Sequence, residues 1–375
     1  MNGMSTSNQE LLSLFLRLAP IEGVSHSERL IADEVVSILR SRGITVVEDD
    51  AAAKVRGNTG NLLCFPPGFD SDAPAILLEA HLDTVQSTVN LKPIVRADRV
   101  TSDGSTILGA DNRMGVSLLV DLLLSTRNIT SSLTNFFVAF TVCEESGLYG
   151  AQALDLTSRH VSAAFVFDCS KRPGTYIRES VGLHGFTASF IGKAAHAGVA
   201  PEEGISAVAL SSAAISKIRL GRLDQDTTCN IGKIKGGDTV NVVPERVTIE
   251  GEVRSFYPER ITQVLGEMKA AFESAVASAG RLEFMTSAEF EPYVHAADSE
   301  VLVRLERALR DAGLEPNPIR YMGGSDANAY NARGIPAVNI GIGAQKPHSV
   351  DEFFLMEDLI SASRIVRALI QSRPS

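Results

Sequence analysis

At 375 residues the chain is longer than one ordinary hydrophobic core requires, so two domains, or one with a large insertion, are expected. Its 44% hydrophobic and 21% charged residues argue against a disordered or fibrous protein, and a formal charge of -10 argues against a broad phosphate-neutralising surface, so nucleic acid is not an expected partner. The cysteines Cys64, Cys143, Cys169 and Cys229 form no CxxC pair and sit mostly beside apolar runs, which fits a reducing cytoplasm. No run is long enough to cross a bilayer, and Met1 to Glu10 lacks a signal-peptide pattern, so a membrane association is not expected.

In chain order, Asn8 to Leu18 has helical apolar spacing. Ser25 with Glu28 has the form of a capping box ahead of a second helix, whose apolar face is Leu30, Ile31, Val35, Ile38 and Leu39 and which stops at Gly43. Apolar runs then alternate with helical patterns: Ala75 to Leu78, Met114 to Leu124, Phe136 to Val142 and Ala163 to Phe167. That alternation predicts an α/β domain with a largely buried sheet. Between Gly182 and Pro292 the order is βαββαβ, with strands near 186–191, 227–234, 247–254 and 282–289 and helices near 205–218 and from Pro258 to Ser278. This is the ferredoxin-like (α+β) pattern, placed inside the chain as an insertion. A helix over Glu300 to Ala312, a strand over Ala337 to Ile342 and a helix over Glu357 to Ile370 complete the first domain. The boundaries are 1–181, 182–292 and 293–375.

The chemistry concentrates just beyond the predicted strands. His81 and Asp83 follow Ala75 to Leu78, Glu144 and Glu145 follow Phe136 to Val142, and Asp168 follows Ala163 to Phe167. Asp111 and Asn112 precede the Met114 helix, and His348 follows the Ala337 strand. Loops at the carboxyl ends of strands in such a sheet converge on one crevice. Two histidines with several carboxylates, and no paired cysteines, suit an open divalent-metal site of the Zn²⁺ class. If Asp111 bridges two ions, each has one histidine, one terminal carboxylate and the shared group. Asp83 is placed to orient the His81 ring and Glu144 to take a proton from water, with Glu145 pointing the other way as a ligand. Taken singly, His-x-Asp, the acidic pair and Asp168 are ordinary capping or surface patterns; their conjunction at the strand ends of one sheet carries the reading. His196 lies in a small-residue loop, Gly192 to Gly198, that suits either close approach to a ligand or a simple packed turn. His26, His160, His184 and His295 carry no local motif that assigns a role.

The segments Glu79-Ala80-His81-Leu82-Asp83-Thr84-Val85, Gly109-Ala110-Asp111-Asn112, Cys143-Glu144-Glu145-Ser146-Gly147, Ala195-His196-Ala197-Gly198, Asn241-Val242-Val243-Pro244-Glu245 and Pro347-His348-Ser349 resemble the dinuclear zinc metallopeptidase family of peptidase T, glutamate carboxypeptidase and aminoacylase. Gly323-Gly324-Ser325-Asp326-Ala327-Asn328 is most similar to the peptidase T-like branch, as is the Asp at position 168 where carboxypeptidase relatives have Glu. The resemblance implies a mixed-sheet zinc-exopeptidase catalytic domain with the insertion as lid and dimerisation surface. It implies one metal held by His81, Asp111 and Asp168, a second by Asp111, Glu145 and His348, Glu144 as general base and Asp83 behind His81. It further implies His196 as an oxyanion donor, from the same chain or a neighbouring subunit, Asn241 and Arg254 as binders of a substrate carboxylate, and a cis peptide at Asp111-Asn112.

The expected activity is hydrolysis of short peptides, tripeptides foremost, with two divalent ions, Zn²⁺ or else Mn²⁺ or Co²⁺. Deacylation of N-acyl amino acids needs the same site and is the alternative; a binding protein without catalysis is the remote one. A cytoplasmic homodimer joined through the lid is the expected assembly.

Overall fold

The computed structural model describes residues 5–126, 133–157, 159–277 and 279–371. The chain divides into two compact units, one of Met1–Arg178, Val294–Arg320 and Ser325–Ser375, the other of Glu179–Tyr293 and Tyr321–Gly324. No helix among the described residues is long and apolar enough to cross a membrane.

The first unit is built on a nine-stranded mixed sheet, in the order Thr45–Glu48, Leu62–Phe65, Phe136–Thr141, Ala75–His81, Val161–Cys169, Ala337–Gly341, Thr175–Ser180 and Tyr293–Val294, with Asn317–Tyr321 also pairing with Thr175–Ser180. The four strands Phe136–Thr141, Ala75–His81, Val161–Cys169 and Ala337–Gly341 are neighbours and mutually parallel. Ala75–His81 and Phe136–Thr141 are buried at every residue, as unbroken apolar runs in a covered parallel sheet should be. The helix Ala110–Ser125 is buried along most of its length, and Thr6–Leu18 buries Leu11, Leu12, Phe15 and Leu18 at helical spacing. Phe15 meets Phe354 edge to face at 4.8 Å. All four cysteines are buried free thiols.

The second unit carries a five-stranded antiparallel sheet in the order Gly221–Asp224, Thr227–Gly236, Arg246–Ser255, Gly182–Ile191 and Arg281–Phe290. The last four strands follow the expected ferredoxin-like order, and Gly221–Asp224 is an additional edge strand. Alternate residues of the sheet, among them Phe186, Ala188, Phe190, Val247 and Ile249, bury against Ile261, Met268 and Phe272 of the helix Pro258–Val276. The intervening positions are polar: Ser189 bonds Thr248 at 3.0 Å, and Lys233 pairs with Glu250 at 3.1 Å. Ser278, the expected last residue of that helix, lies outside the described residues.

Several local expectations are corrected. The second helix is Arg29–Ser41, and no Ser25/Glu28 capping box forms at its start. The Ser25 hydroxyl donates instead to Asp83 at 2.6 Å, and the buried Glu28 carboxylate accepts from the Cys143 N–H at 2.9 Å. Leu30, assigned to the buried face, is 60% exposed. His81 and Asp168 are the last and the penultimate residues of their strands rather than loop residues beyond them.

Candidate active site

The parallel strands fix the site by register. His81 pairs with Thr141 on the neighbouring strand, and Asp168 follows Phe167, which pairs with Ile340. After Thr141 the chain turns sharply, with Cys143 at φ 55° and Leu148 at φ 60°, and this turn presents Glu144 and Glu145. After Gly341 a loop with Lys346 at φ 53° and His348 at φ 63° returns over the same end of the sheet. Asp111 sits at the start of Ala110–Ser125, where it and Asn112 leave helical geometry and the peptide bond between them is cis, as expected. Gly115 lets this helix approach closely: a β-carbon there would lie 2.4 Å from the Phe167 carbonyl oxygen and 2.9 Å from the Ala80 side chain.

All five expected ligands meet. His81 Nε2 lies 3.2 Å from Asp111 Oδ1 and 3.2 Å from Asp168 Oδ1. His348 Nε2 lies 3.0 Å from Glu145 Oε1 and 3.5 Å from Asp111 Oδ2. The two Asp111 oxygens thus face different histidines. Ligand atoms of His81, Asp111 and Glu145 all lie within 4.8 Å of one another.

Protons or a divalent cation must balance the charges gathered here. His81 Nδ1 is within 3.1 Å of the Asp83 main-chain oxygen, to which it can donate, with Asp83 Oδ1 at 3.4 Å. That tautomer leaves an Nε2 lone pair facing two carboxylate oxygens, which is repulsive unless a proton or metal lies between them. Burial opposes charge on His81, yet Asp111, Asp168 and Asp83 drive its pKa well above the ordinary value. Burial likewise works against Asp111, but His348 and His81 hold its carboxyl below the usual range. Burial pushes Glu144 well up, helped by Asp168, and pushes Glu145 and Asp168 up as well. His348, bonded to Asp111 and Glu145, is raised to about 10. A buried surplus of carboxylates around two imidazoles is the donor set that divalent ions neutralise, and its nitrogen and oxygen atoms fit Zn²⁺.

Asp83 does more than orient His81. Its carboxylate accepts from the Glu144 N–H at 3.0 Å, from the Glu145 N–H at 3.1 Å and from Ser25, so it also sets the loop that carries both glutamates. In the second unit, the segments of His196 and Asn241 run side by side: the Ala197 N–H donates to the Asn241 main-chain oxygen at 2.9 Å, and His196 bridges Val242. His196 is exposed, and its Nδ1 accepts from the N–H groups of Gly198 and Val199 at 3.2 Å each, so the proton resides on Nε2. Arg254 is not with them. It lies at the other end of Arg246–Ser255, its guanidinium held by Glu252 at 2.8 and 3.2 Å.

Residues 178–279 match the family model described as peptidase dimerisation domain, of the M20 type. An uncharacterised protein of Bacillus subtilis strain 168, YqjE, is 35% identical over 97% of this chain and 98% of its own. Among solved structures, a tripeptidase from Staphylococcus aureus Mu50 superposes with a TM-score of 0.89 at 32% identity, covering 97% of this chain and 98% of its own. The chain belongs to the M20 peptidase family. The aminopeptidase PepT of Bacillus cereus ATCC 10987, at 32% identity and TM-score 0.85, covers the same shares, 97% and 98%. As an M20 peptidase of the peptidase T-like kind, the chain is a peptide hydrolase of a metal-dependent family.

Other residues of this M20 peptidase support the site without a role having been assigned to them from sequence, although Glu79 and Asp326 lie in segments that carry the resemblance. Asn339 reaches Asp168 Oδ2 at 3.4 Å. The Thr141 hydroxyl lies 2.6 Å from Asp326 Oδ2 and 2.8 Å from Glu79 Oε1, all three buried. One hydroxyl hydrogen cannot serve both carboxyls, so one of the two acids supplies a proton of its own. Burial puts Asp326 at about 7 and raises Glu79 well above its ordinary value. Glu79 had a usable signal, a charge in the middle of an apolar strand, which is stable only with a partner.

Proposed function

We propose that this M20 peptidase hydrolyses short peptides, tripeptides foremost, using two divalent ions, Zn²⁺ in the first instance. The observation that carries the reading is the division of the Asp111 oxygens between His81 and His348. His81, Asp111 and Asp168 would hold one ion, and Asp111, Glu145 and His348 the other. Bound there, the ions supply Lewis-acid polarisation of the scissile carbonyl and acidify the attacking water.

The protein's own groups do the rest. Glu144 takes the proton from the attacking water and passes it to the leaving amine, and Asp83 keeps its backbone fixed. His196, with Nε2–H directed outward by its Nδ1 contacts, donates to the oxyanion of the tetrahedral intermediate. Asn241 and Arg254, which one chain keeps at opposite ends of the sheet, bind the substrate carboxylate from different subunits, the carboxylate exchanging with Glu252 for the Arg254 fork. The inserted unit, 182–292 as read from sequence, serves as lid and as the surface joining two subunits, a role supported by its match to a dimerisation domain.

The test is a panel of tripeptides, dipeptides and N-acyl amino acids assayed with the metal-stripped protein and after adding Zn²⁺, Mn²⁺ or Co²⁺. Metal-dependent release of the N-terminal residue from tripeptides is expected. Turnover confined to N-acyl amino acids would assign the chain as a deacylase, and no turnover with any metal would leave a binding role.

A further inference from the structure

The helix Ala110–Ser125 starts at Gly109, which has φ 70° and offers no side-chain cap. Its first N–H groups are served from far along the chain. Glu352, 1% exposed, accepts from the Gly109 N–H at 2.7 Å through Oε2 and from the Asp111 N–H at 2.9 Å through Oε1. A simple cap would be met by Ser, Asn or Thr at the preceding position. Here a buried carboxylate instead grips the backbone of the residue whose side chain faces both histidines.

Glu352 lies on the loop that bears His348. The base of that loop is pinned by a reciprocal pair, Gln345 N–H to Phe353 O at 2.7 Å and Phe353 N–H to Gln345 O at 3.0 Å. Within it, the Val350 oxygen accepts from Ser102 at 3.2 Å. His348 has a side chain 48% exposed, and its ring contacts the carboxylates of Glu145 and Asp111. With the loop base closed and Glu352 anchored to Asp111, the separation between the His348 ring and the Asp111 carboxylate is set by one short mechanical connection. His81 has no such dependence, because the last residue of a central strand is held by the sheet itself.

We propose that Glu352 is a positioning residue that locks the His348 loop to the Asp111 loop and so secures the metal held by Asp111, Glu145 and His348, leaving the metal at His81, Asp111 and Asp168 largely independent of it. The inference rests on the two-ion reading given above. A carboxylate that only capped the helix would act on folding and on both ions alike.

The experiment is calorimetric titration of the metal-stripped protein with Zn²⁺, for the wild type, Glu352→Gln and Glu352→Asp, with melting of the metal-free forms alongside. The wild type is expected to take two ions. Glu352→Gln keeps one acceptor, and should bind the first ion as the wild type does and the second about 10- to 100-fold more weakly, the usual effect of losing support behind a ligand. Its kcat should be recovered by excess Zn²⁺ with KM little changed, and Glu352→Asp should fall between. Equal weakening of both ions together with a lowered metal-free melting temperature would overturn the proposal in favour of a helix cap, and two unchanged ions would overturn it outright. If Glu352→Gln fails to fold, the same outcomes are read from Glu352→Asp. A wild type that binds fewer than two ions would instead overturn the two-ion reading, and this inference with it.

Discussion

If His196 and Arg254 both act on one substrate, they come from different subunits. Arg246 pairs with Ile191 at one end of the five-stranded sheet and Arg254 with Leu183 at the other. Eight residues of strand at about 3.3 Å each separate those ends by roughly 26 Å, and His196 lies beyond Ile191. An extended tripeptide is only about 10 Å long. Arg254 lies in that sheet and His196 in the loop that continues its strand Gly182–Ile191, both within one compact unit, so no motion between units closes the gap. The perturbation is a pair of impaired variants, Arg254→Ala and His196→Ala, the latter expected to lose about 10²- to 10³-fold in kcat with the oxyanion donor. Mixed and allowed to exchange subunits, half of the dimers are heterodimers, and each has one site with an intact Arg254 from one chain and an intact His196 from the other. Activity should therefore recover to about a quarter of the wild type, one active site in two over half of the dimers. The assay is tripeptide turnover after co-expression or after mild dissociation and mixing, with sedimentation to establish that heterodimers form. Heterodimers with no more activity than the two variants measured separately would refute the arrangement.

Glu144→Gln is isosteric and leaves the Glu144 N–H bond to Asp83 in place, so Zn²⁺ stoichiometry by calorimetry should hold while kcat falls about 10²- to 10⁴-fold; near-wild-type turnover would remove Glu144 from the mechanism. Gly115→Ala forces a β-carbon to within 2.3 Å of Asn112 Oδ1 and 2.4 Å of the Phe167 oxygen. It should cost about 1–3 kcal/mol in urea unfolding and weaken Zn²⁺ binding, because the backbone that yields adjoins Asp111 and Asp168. The Arg29 guanidinium at Glu48 holds that carboxyl at about 2. With the folded value below the unfolded one, near 4.3, the pair stabilises the protein above pH ~4.3, and that contribution is lost as pH falls towards 2. The side chains are 35% and 33% exposed, so screening limits the effect to about 1 kcal/mol. Urea midpoints of wild type and Glu48→Gln should differ at pH 6 and converge near pH 2; a gap that widens in acid would reverse the assignment.

The candidate site was legible because its proposed ligands hang on features that sequence displays. Ala75 to Leu78, Phe136 to Val142, Ala163 to Phe167 and Ala337 to Ile342 are unbroken apolar runs, the signature of strands covered on both faces, and a polar residue at the end of such a run has few places to be except the sheet's carboxyl edge. The short strands Thr45–Glu48 and Arg99–Thr101 span too few residues for any period to show. Ser25 and Glu28 misled for a different reason. Their spacing matches a local cap, but their hydroxyl and carboxylate bond Asp83 and Cys143, 58 and 115 residues away, and a tertiary partner outcompetes a local one when it would otherwise be buried unpaired.

The same contrast separates the ligands from what holds them. A ligand must be a particular residue type at a particular strand end, which leaves a trace in spacing. A supporting group such as Glu352 or Thr141 needs only to reach a buried donor or acceptor from whatever element passes nearby, and it leaves none. Glu352 reaches Asp111 across 241 positions, and Thr141 reaches Asp326 across 185. Asp111 therefore depends on three separate parts of the chain: a helix start for its backbone, a returning loop for its N–H bond, and two histidines for its oxygens. Fixed in this way, the Asp111 carboxylate keeps its two oxygens aimed at different histidines, the arrangement on which the two-ion proposal rests.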